Sequence, residues 1–449
     1  MPIRDVIVLV FFLGSLPICF LRPFYGILLW TVVAFLNPQR YTWDFAYAFP
    51  LAMAVAIPTL IGFPIFSRNW GQLRSREFHL IVALWIWFTI TTIVSVNTPL
   101  FMHHTLDTWY RWEFVSKILL MTGVTIALVN NLDRLRIFVL VIAGCFGLMV
   151  LKTLPFMILT GGQFRLYGPE ESMLGDNNDF GLALTMILPL FYFLAQTESN
   201  RWVKGLFAFL FLITIPAIFF TYSRGAFVGV VAMLGVMFFQ SRKKVLLAPA
   251  IVIGLVIALV LAPEAWRTRM DPTREGAIDL SAQSRLNAWT FSYRLAKESP
   301  VVGGGFATFT PELYERYAVN VMDVKGPHSI YLGVMAEHGF VGLLLYLGLV
   351  LSCFASTHRL VKQARYLGDQ LIAGYAKMFQ LSLVGFLVTG AFLGRAYFDF
   401  FFSIVACIGI LTHLARQKWA EESYVASVSD LDPVEEETLD HPAGYVLER

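Results

Sequence analysis

Apolar runs of helix length recur along almost the whole chain, separated by short polar stretches. They fall near residues 5–21, 24–37, 47–66, 78–96, 114–130, 137–159, 179–196, 202–221, 225–240, 244–262, 328–356, 373–394 and 397–415. About 20 apolar residues carry a helix across the roughly 30 Å hydrocarbon core of a bilayer. The pattern therefore predicts an all-α polytopic membrane protein with about 12–13 transmembrane helices, the first two short enough to form a hairpin. The long polar interruption at 263–327 predicts a loop large enough to fold as a cap over one face. Five divisions follow: N-terminal transmembrane helices at 1–130, central ones at 131–262 with an external Gly/Asn-rich loop at 160–179, the large loop at 263–327, C-terminal helices at 328–415, and a tail at 416–449.

Composition agrees with that pattern. Hydrophobic residues make up 57% of the 449 and charged residues 14%, with mean hydropathy +0.65, far from a soluble globular chain. Aromatic residues are abundant, but no Lys/Arg-rich block accompanies them, which excludes a nucleic-acid platform. Cys19, Cys145, Cys353 and Cys407 each sit inside an apolar run with no paired spacing, so neither a disulfide framework nor a metal site is expected. The first run, Val6 to Phe20, lacks a small-residue cleavage pattern and is expected to stay in the protein.

Charge then fixes sidedness. One set of alternate loops holds Arg68, Arg74 and Arg76; Arg134 and Arg136; Arg201 and Lys204; Arg242, Lys243 and Lys244; and Arg359, Lys362 and Arg365. The other short loops hold one arginine each: Arg40, Arg111, Arg165, Arg224 and Arg395. The positive-inside rule puts the first set in the cytoplasm, and the long loop and the lone arginines outside. The long loop carries eight basic and eight acidic residues, which suits a folded cap better than a lipid clamp. The tail, with nine acids against three bases, is expected to be cytoplasmic and disordered.

Polar candidates gather on the outer side. Ser223-Arg224-Gly225 opens an apolar run, placing a capping serine and a guanidinium at a helix N-terminus suited to an anion. In the long loop Ser281 reads as the cap of a helix carrying Arg285, with Trp289, Tyr293 and Ala296 at helical spacing and the helix lying along the membrane surface. For both arginines the plain alternative is an anchoring or solvated side chain. His328-Ser329 follows the long loop where a helix from His328 to Thr357 would begin, at the height of the outer headgroups. A histidine there can act as general acid or base, or simply be interfacial. Glu337 and His338 would lie deeper on the same helix, with Glu337 on the face opposite His328; an acid at that depth needs a partner or a water-filled cavity. Gly161 to Pro169 and Asp176 to Phe180, including Arg165 and Asn178, suit a turn that bonds sugar hydroxyls or phosphate oxygens, or mere turn chemistry with Asn178 or Asp179 as cap. Lys152 could reach outward to join them.

With this arrangement the chain resembles the O-antigen ligase and O-antigen polymerase superfamily over roughly residues 160 to 410. The resemblance rests on the large loop followed by His328-Ser329-x-x-Leu332 and Glu337-His338-Gly339, with Ser223-Arg224-Gly225 upstream. Ser329 stands where many relatives carry Asn. Residues 161–180 and Leu36-Asn37-Pro38-Gln39-Arg40 look like a subgroup found with exosortase-type systems and described as O-glycosylation ligases. The resemblance implies an enzyme of the bacterial inner (cytoplasmic) membrane. It would transfer a glycan from a polyprenyl (undecaprenyl) diphosphate carrier to a hydroxyl of lipid A-core, a protein or a growing glycan, on the periplasmic side. His328 would be catalytic, Arg224 and Arg285 would engage the diphosphate, and Arg165, Asn178, Ser329 and Glu337 would line the substrate. No cofactor or metal is implied, and the displacement would invert the anomeric centre. Polymerisation with the same donor, or transport of a lipid-linked glycan, are the competing readings; a scaffold that binds a partner through the long loop is a third.

Overall fold

The computed structural model describes residues 3–67, 70–240, 263–264, 266–267 and 277–429. All regular structure among them is helical: α1 Ile3–Leu21, α2 Pro23–Leu36, α3 Leu51–Phe66, α4 Arg76–Val96, α5 Thr105–Leu128, α6 Leu132–Thr160, α7 Asn177–Thr197, α8 Arg201–Phe220, α9 Arg224–Gln240, α10 Ala277–Glu298, α11 Pro311–Tyr317, α12 Ile330–Tyr366, α13 Gln370–Gly390 and α14 Asp399–Ser429. Eight of these (α1, α4, α6, α7, α8, α12, α13 and α14) are long and apolar enough to cross a membrane, so the chain is a multi-pass membrane protein. The apolar runs expected at 24–37, 47–66 and 225–240 form the shorter helices α2, α3 and α9. At 14 residues α2 is about 21 Å long, less than the hydrocarbon core. The run at 244–262, together with Arg68 and Lys243, lies outside the described residues.

Side-chain contacts sort the helix ends into two faces. On one, the buried Asp5 carboxylate at the start of α1 accepts from the N–H groups of Trp43, Asp44 and Ala46, Arg40 meets Glu171 at 2.5 Å, and the Ser95 hydroxyl donates to the Gly304 carbonyl at 2.6 Å. This face carries the 277–329 segment and is called the cap face below. On the opposite face Arg136 pairs with buried Glu198, Arg134 lies over the Phe24 ring, and Ser352 and Ser356 donate to buried Glu77. The central core packs α7, α13 and α14 among their neighbours, with Phe180, Phe191, Phe379, Phe386, Phe400 and Phe401 fully enclosed.

Five expectations need correction. The helix after the long loop begins at Ile330, extends to Tyr366 and is not continuous: Gly339 breaks it with φ 69° and ψ −173°, a conformation open to glycine and strained for other residues. The segment Pro300–Phe306 fills the break. Gly304 and Gly305 N–H donate to the carbonyls of Ala336 and Glu337, and Phe340 N–H donates to Pro300, each at 2.8 Å; the Trp87 indole reaches the His338 carbonyl at 3.0 Å. Carbonyls freed by the break are thus satisfied by protein, as backbone within a bilayer requires.

Ser281 is not a helix cap, because α10 begins at Ala277. The face of α10 that packs inward runs through Ser284, Asn287, Ala288, Phe291, Ser292, Leu295 and Ala296, while Tyr293 is exposed. The aromatic pattern at 289 and 293 misread that face because Phe291 and Leu295 supply the apolar contact with α11, around Leu313, Tyr314 and Tyr317. The cap of α7 is Asp176, whose carboxylate accepts from Asn178 N–H at 2.8 Å. Finally, α14 continues past residue 415 to Ser429. The Asp369 carboxylate fastens it by accepting from Lys418 at 2.7 Å and from the Trp419 indole at 3.2 Å. Residues 430–449 lie outside the described part.

Candidate active site

The sequence around His328 offers no regular structure of its own; proline at 327 removes a donor and the chain must turn into α12. Four side chains hold it. Trp289 on α10 donates its indole N–H to the Pro327 carbonyl at 2.8 Å, and the Tyr314 hydroxyl donates to the Lys325 carbonyl at 2.5 Å. Asn287 accepts from the N–H groups of Val319 and Asn320, both at 2.9 Å, and donates to the Asn320 carbonyl at 2.8 Å. Beyond the turn, the Tyr331 hydroxyl donates to the Leu387 carbonyl at 3.0 Å. His328 itself takes φ 43°, in the left-handed region that non-glycine residues seldom adopt.

His328 is half-buried on the wall of a cleft of about 960 Å³ on the cap face, together with Arg285, Lys325, Asn178, Gln283 and Asn320. Burial holds its imidazole below the usual histidine range, with the cations of Arg285 and Lys325 adding to the effect and Asp176 opposing it. These effects favour the uncharged ring, the form able to accept a proton. Arg285 is half-buried, and burial followed by the nearby Arg224 cation lowers its guanidinium below the ordinary range; arginine remains charged regardless.

Arg224 opens α9 behind Ser223, whose hydroxyl accepts from Ala226 N–H at 3.2 Å. Its charge acts on Arg285, but its side chain is off the cleft wall. Asn178 is on the wall and donates to the Asp176 carboxylate at 3.0 Å. Ser329 is buried at the cap position of α12 without a capping bond, and does not line the cleft. Glu337 lies below, accepting from the Tyr397 hydroxyl at 2.6 Å, also off the wall. Arg165 lines a different cavity on the same face. His338 is fully buried between the rings of Phe88 and Phe306. The Thr91 hydroxyl donates to the Phe88 carbonyl, so the His338 Nδ1–H donates to Thr91 at 2.7 Å and leaves Nε2 without a partner.

The structure adds neighbours of His328 whose roles the sequence does not show. Lys325 and Asp176 bias His328, and Phe392 and Leu393 form one wall of the cleft. Arg395, expected as a lone outward arginine, is paired with Asp179 in the first turn of α7. That pair ties the segment 391–398 beside Asn178. Nothing local in the sequence marks it, since 216 positions separate the partners.

Residues 181–347 match the O-Antigen ligase family. The matched span runs from α7 to the first half of α12 and contains Arg224, Arg285, His328 and Glu337. Together with the membrane-length helices it supports the O-antigen ligase superfamily and a membrane-bound ligase- or transferase-type role. Residues 3–199 match a family of unknown function, DUF5935. No curated protein matches the chain.

No group of three or more His, Cys, Asp or Glu side chains able to hold a metal ion occurs among the described residues. The chemistry available at this cleft is that of one imidazole among amides, hydroxyls, the Asp323 carboxylate and two cations, Arg285 and Lys325, the second of them 3.5 Å from Asp323. Such a set can take a proton from a hydroxyl while guanidinium and ammonium groups carry charge developing on an anionic leaving group.

Proposed function

We propose that the chain is a glycan ligase acting at the His328 cleft, with a polyprenyl diphosphate-linked glycan as donor and a hydroxyl as acceptor. The observation that carries this reading is the half-buried His328 imidazole lining, with Arg285 and Lys325, a cleft of about 960 Å³ on the cap face. The acceptor oxygen attacks the anomeric carbon as His328 takes its proton. The bond from that carbon to the diphosphate oxygen breaks, and the polyprenyl diphosphate leaves with the bonding pair against Arg285, with Arg224 behind it. One displacement inverts the anomeric centre. Glu337 and Ser329, off the cleft wall, would act by supporting the turn and not by touching substrate; Asn178 would bond sugar hydroxyls.

In this reading the membrane is the bacterial inner membrane and the cap face is periplasmic, a sidedness that the distribution of arginine and lysine supports. Within this reading we place the chain with the exosortase-associated O-glycosylation ligases, on the resemblance of residues 36–40 and 161–180. The test is to incubate the purified protein with a lipid-linked glycan and, separately, lipid A-core, a hydroxyl-bearing protein and free glycan, and to follow the mass of each acceptor. Gain of one glycan by the first or second acceptor is expected. Serial lengthening of the glycan alone would make the chain a polymerase with the same donor chemistry. Absence of any transfer by folded protein would overturn the proposal.

A further inference from the structure

The cap face has a second cavity, of about 380 Å³, that shares no lining residue with the His328 cleft. It lies between the outer part of α6, the 165–170 segment and the 3-10 turn Pro38–Tyr41. All its lining residues fall in 40–180, inside the stretch that matches a family of unknown function. Met149, Phe156 and Phe180 give it an apolar floor, and Arg40, Lys152 and Arg165 a cationic rim.

The rim cations are unequally committed. Arg40 is bound to Glu171 at 2.5 Å. Lys152 holds its ammonium 4.1 Å above the Tyr41 ring, and among the described residues no carboxylate pairs with it or with Arg165. Glu170 is the one acid on the rim, so positive charge remains in excess. The position is also particular. On α6, Phe156, Ile158 and Leu159 are exposed at 42%, 70% and 85%, so this edge of the bundle faces the lipid. Lys152 stands eight residues, about 12 Å, below the end of that helix, within reach of the headgroup layer through its long stem.

Cations above an apolar floor, on an edge of the bundle whose neighbouring α6 residues are exposed, match an amphiphile with an anionic head. We propose that this cavity binds the phosphate head of a membrane lipid, with the phosphate between Lys152 and Arg165 and the first carbons of its tail on Met149 and Phe156. The site is separate from the His328 cleft and does not depend on what reaction occurs there. A phosphate-headed polyprenyl lipid and an anionic phospholipid offer the same chemistry.

Native mass spectrometry of the full chain in neutral detergent tests it, with undecaprenyl phosphate, phosphatidylglycerol and inorganic phosphate as three separate titrants. The Lys152→Met/Arg165→Gln variant, which keeps the bulk of both stems, is expected to bind the favoured lipid at least tenfold more weakly while keeping the parent melting temperature. Arg285→Ala, in the other cleft, is expected to leave this binding unchanged. Tighter binding of either lipid than of inorganic phosphate supports the proposal, and the arm that binds names the lipid. Parent-like lipid affinity in the double variant would overturn it, as would equal affinity for inorganic phosphate. A chain that shows this binding but no glycan transfer would sink the proposed function and leave the lipid site standing.

Discussion

The Trp289 indole holds the Pro327 carbonyl at 2.8 Å, so the cap helix α10 fixes the residue immediately before His328. The arrangement couples two parts of the chain that only folding brings together. α10 also presents Arg285 one turn earlier, so one helix sets both the proposed base and the proposed phosphate ligand. A net hydrogen bond is worth about 0.5–1.5 kcal/mol, and more where its loss strands a carbonyl. Replacing Trp289 by Phe keeps most of the ring and removes the donor. Turnover should fall about tenfold, with the donor concentration at half-saturation and the melting temperature little changed. A fall in affinity without a fall in turnover would assign Trp289 to donor binding.

Arg285 lines the cleft and Arg224 stands behind it, so their loss should not be equivalent. A charge-assisted bond to phosphate contributes about 1.5–3 kcal/mol, roughly ten- to a hundredfold in donor use. Arg285→Ala should show that loss, and Arg285→Lys should recover part of it, since lysine lacks the planar fork. Arg224→Ala should lose less. Initial rates at low donor concentration give the comparison, and equal losses at the two positions would remove the distinction drawn from the cleft wall.

The broken helix makes a stability prediction. A Cβ on Gly339 would stand 2.2 Å from the Val301 carbonyl oxygen, and one on Gly303 would stand 2.6 Å from the Ala336 oxygen; both glycines have positive φ. Each obstacle is backbone, so it cannot rotate away. The left-handed conformation alone costs an L-residue about 1–2 kcal/mol, and displacing the Pro300–Phe306 segment adds to it. Gly339→Ala and Gly303→Ala should therefore lower the melting temperature in detergent, whereas Gly348→Ala, with open space around it, should not. A parent-like melt for Gly339→Ala would mean that the break is not a fixed part of the fold.

The sequence made the membrane helices legible because twenty apolar residues in a row admit few other readings, and the all-helical membrane architecture followed. The helix N-terminus behind Ser223 was also local, a cap followed at once by an apolar run. What stayed hidden depends on partners far apart in the chain. Gly339 looks like any glycine in a transmembrane helix until Gly303, Gly304 and Gly305 arrive from before the turn. Arg395 looks like an interfacial arginine until Asp179 meets it. The cap of α7 and the start of α10 are ambiguous in sequence for the opposite reason: several Ser, Asp and Asn residues nearby can each serve, and only the backbone geometry chooses among them. Arg165 and Asn178 lie close together in sequence, yet they line different cavities.

The pairing of Arg395 with Asp179 can be tested by a double-mutant cycle. Asp179 is nearly buried at 5% and Arg395 is 31% exposed; removing one partner strands the other's charge. Fully buried pairs cost about 3–5 kcal/mol to break in this way, and access of water to Arg395 reduces the figure here. Asp179→Ala and Arg395→Ala should each lower the melting temperature, and the double variant should lower it by less than the two effects added. Strict additivity would show that the pair contributes no coupling.

The imidazole of His328 should carry the chemical step, and its charge state gives the test a sign. Burial, Arg285 and Lys325 hold its ionisation below the ordinary histidine range, so the reactive uncharged form persists to lower pH than for an exposed histidine. Activity should therefore be lost only as pH falls below about 6.5, the reference value for histidine. Removing the Lys325 charge, as in Lys325→Ala, relieves one repulsion against the protonated ring and should move that acid limb upward. Asp176→Asn, which keeps an N-capping side chain but removes an attraction for the protonated ring, should move it downward. A positioned base contributes about 10² to 10⁴ in rate, so His328→Ala should lose transfer by that order at saturating donor while binding and the melting temperature hold. Near-parent turnover of His328→Ala at saturation would exclude the residue as base. The buried His338, boxed in by Phe88 and Phe306, could not take its place without opening the core. Unmoved acid limbs in both charge variants, with His328→Ala inactive, would instead confine His328 to orienting the acceptor hydroxyl through a hydrogen bond that does not titrate with the rate.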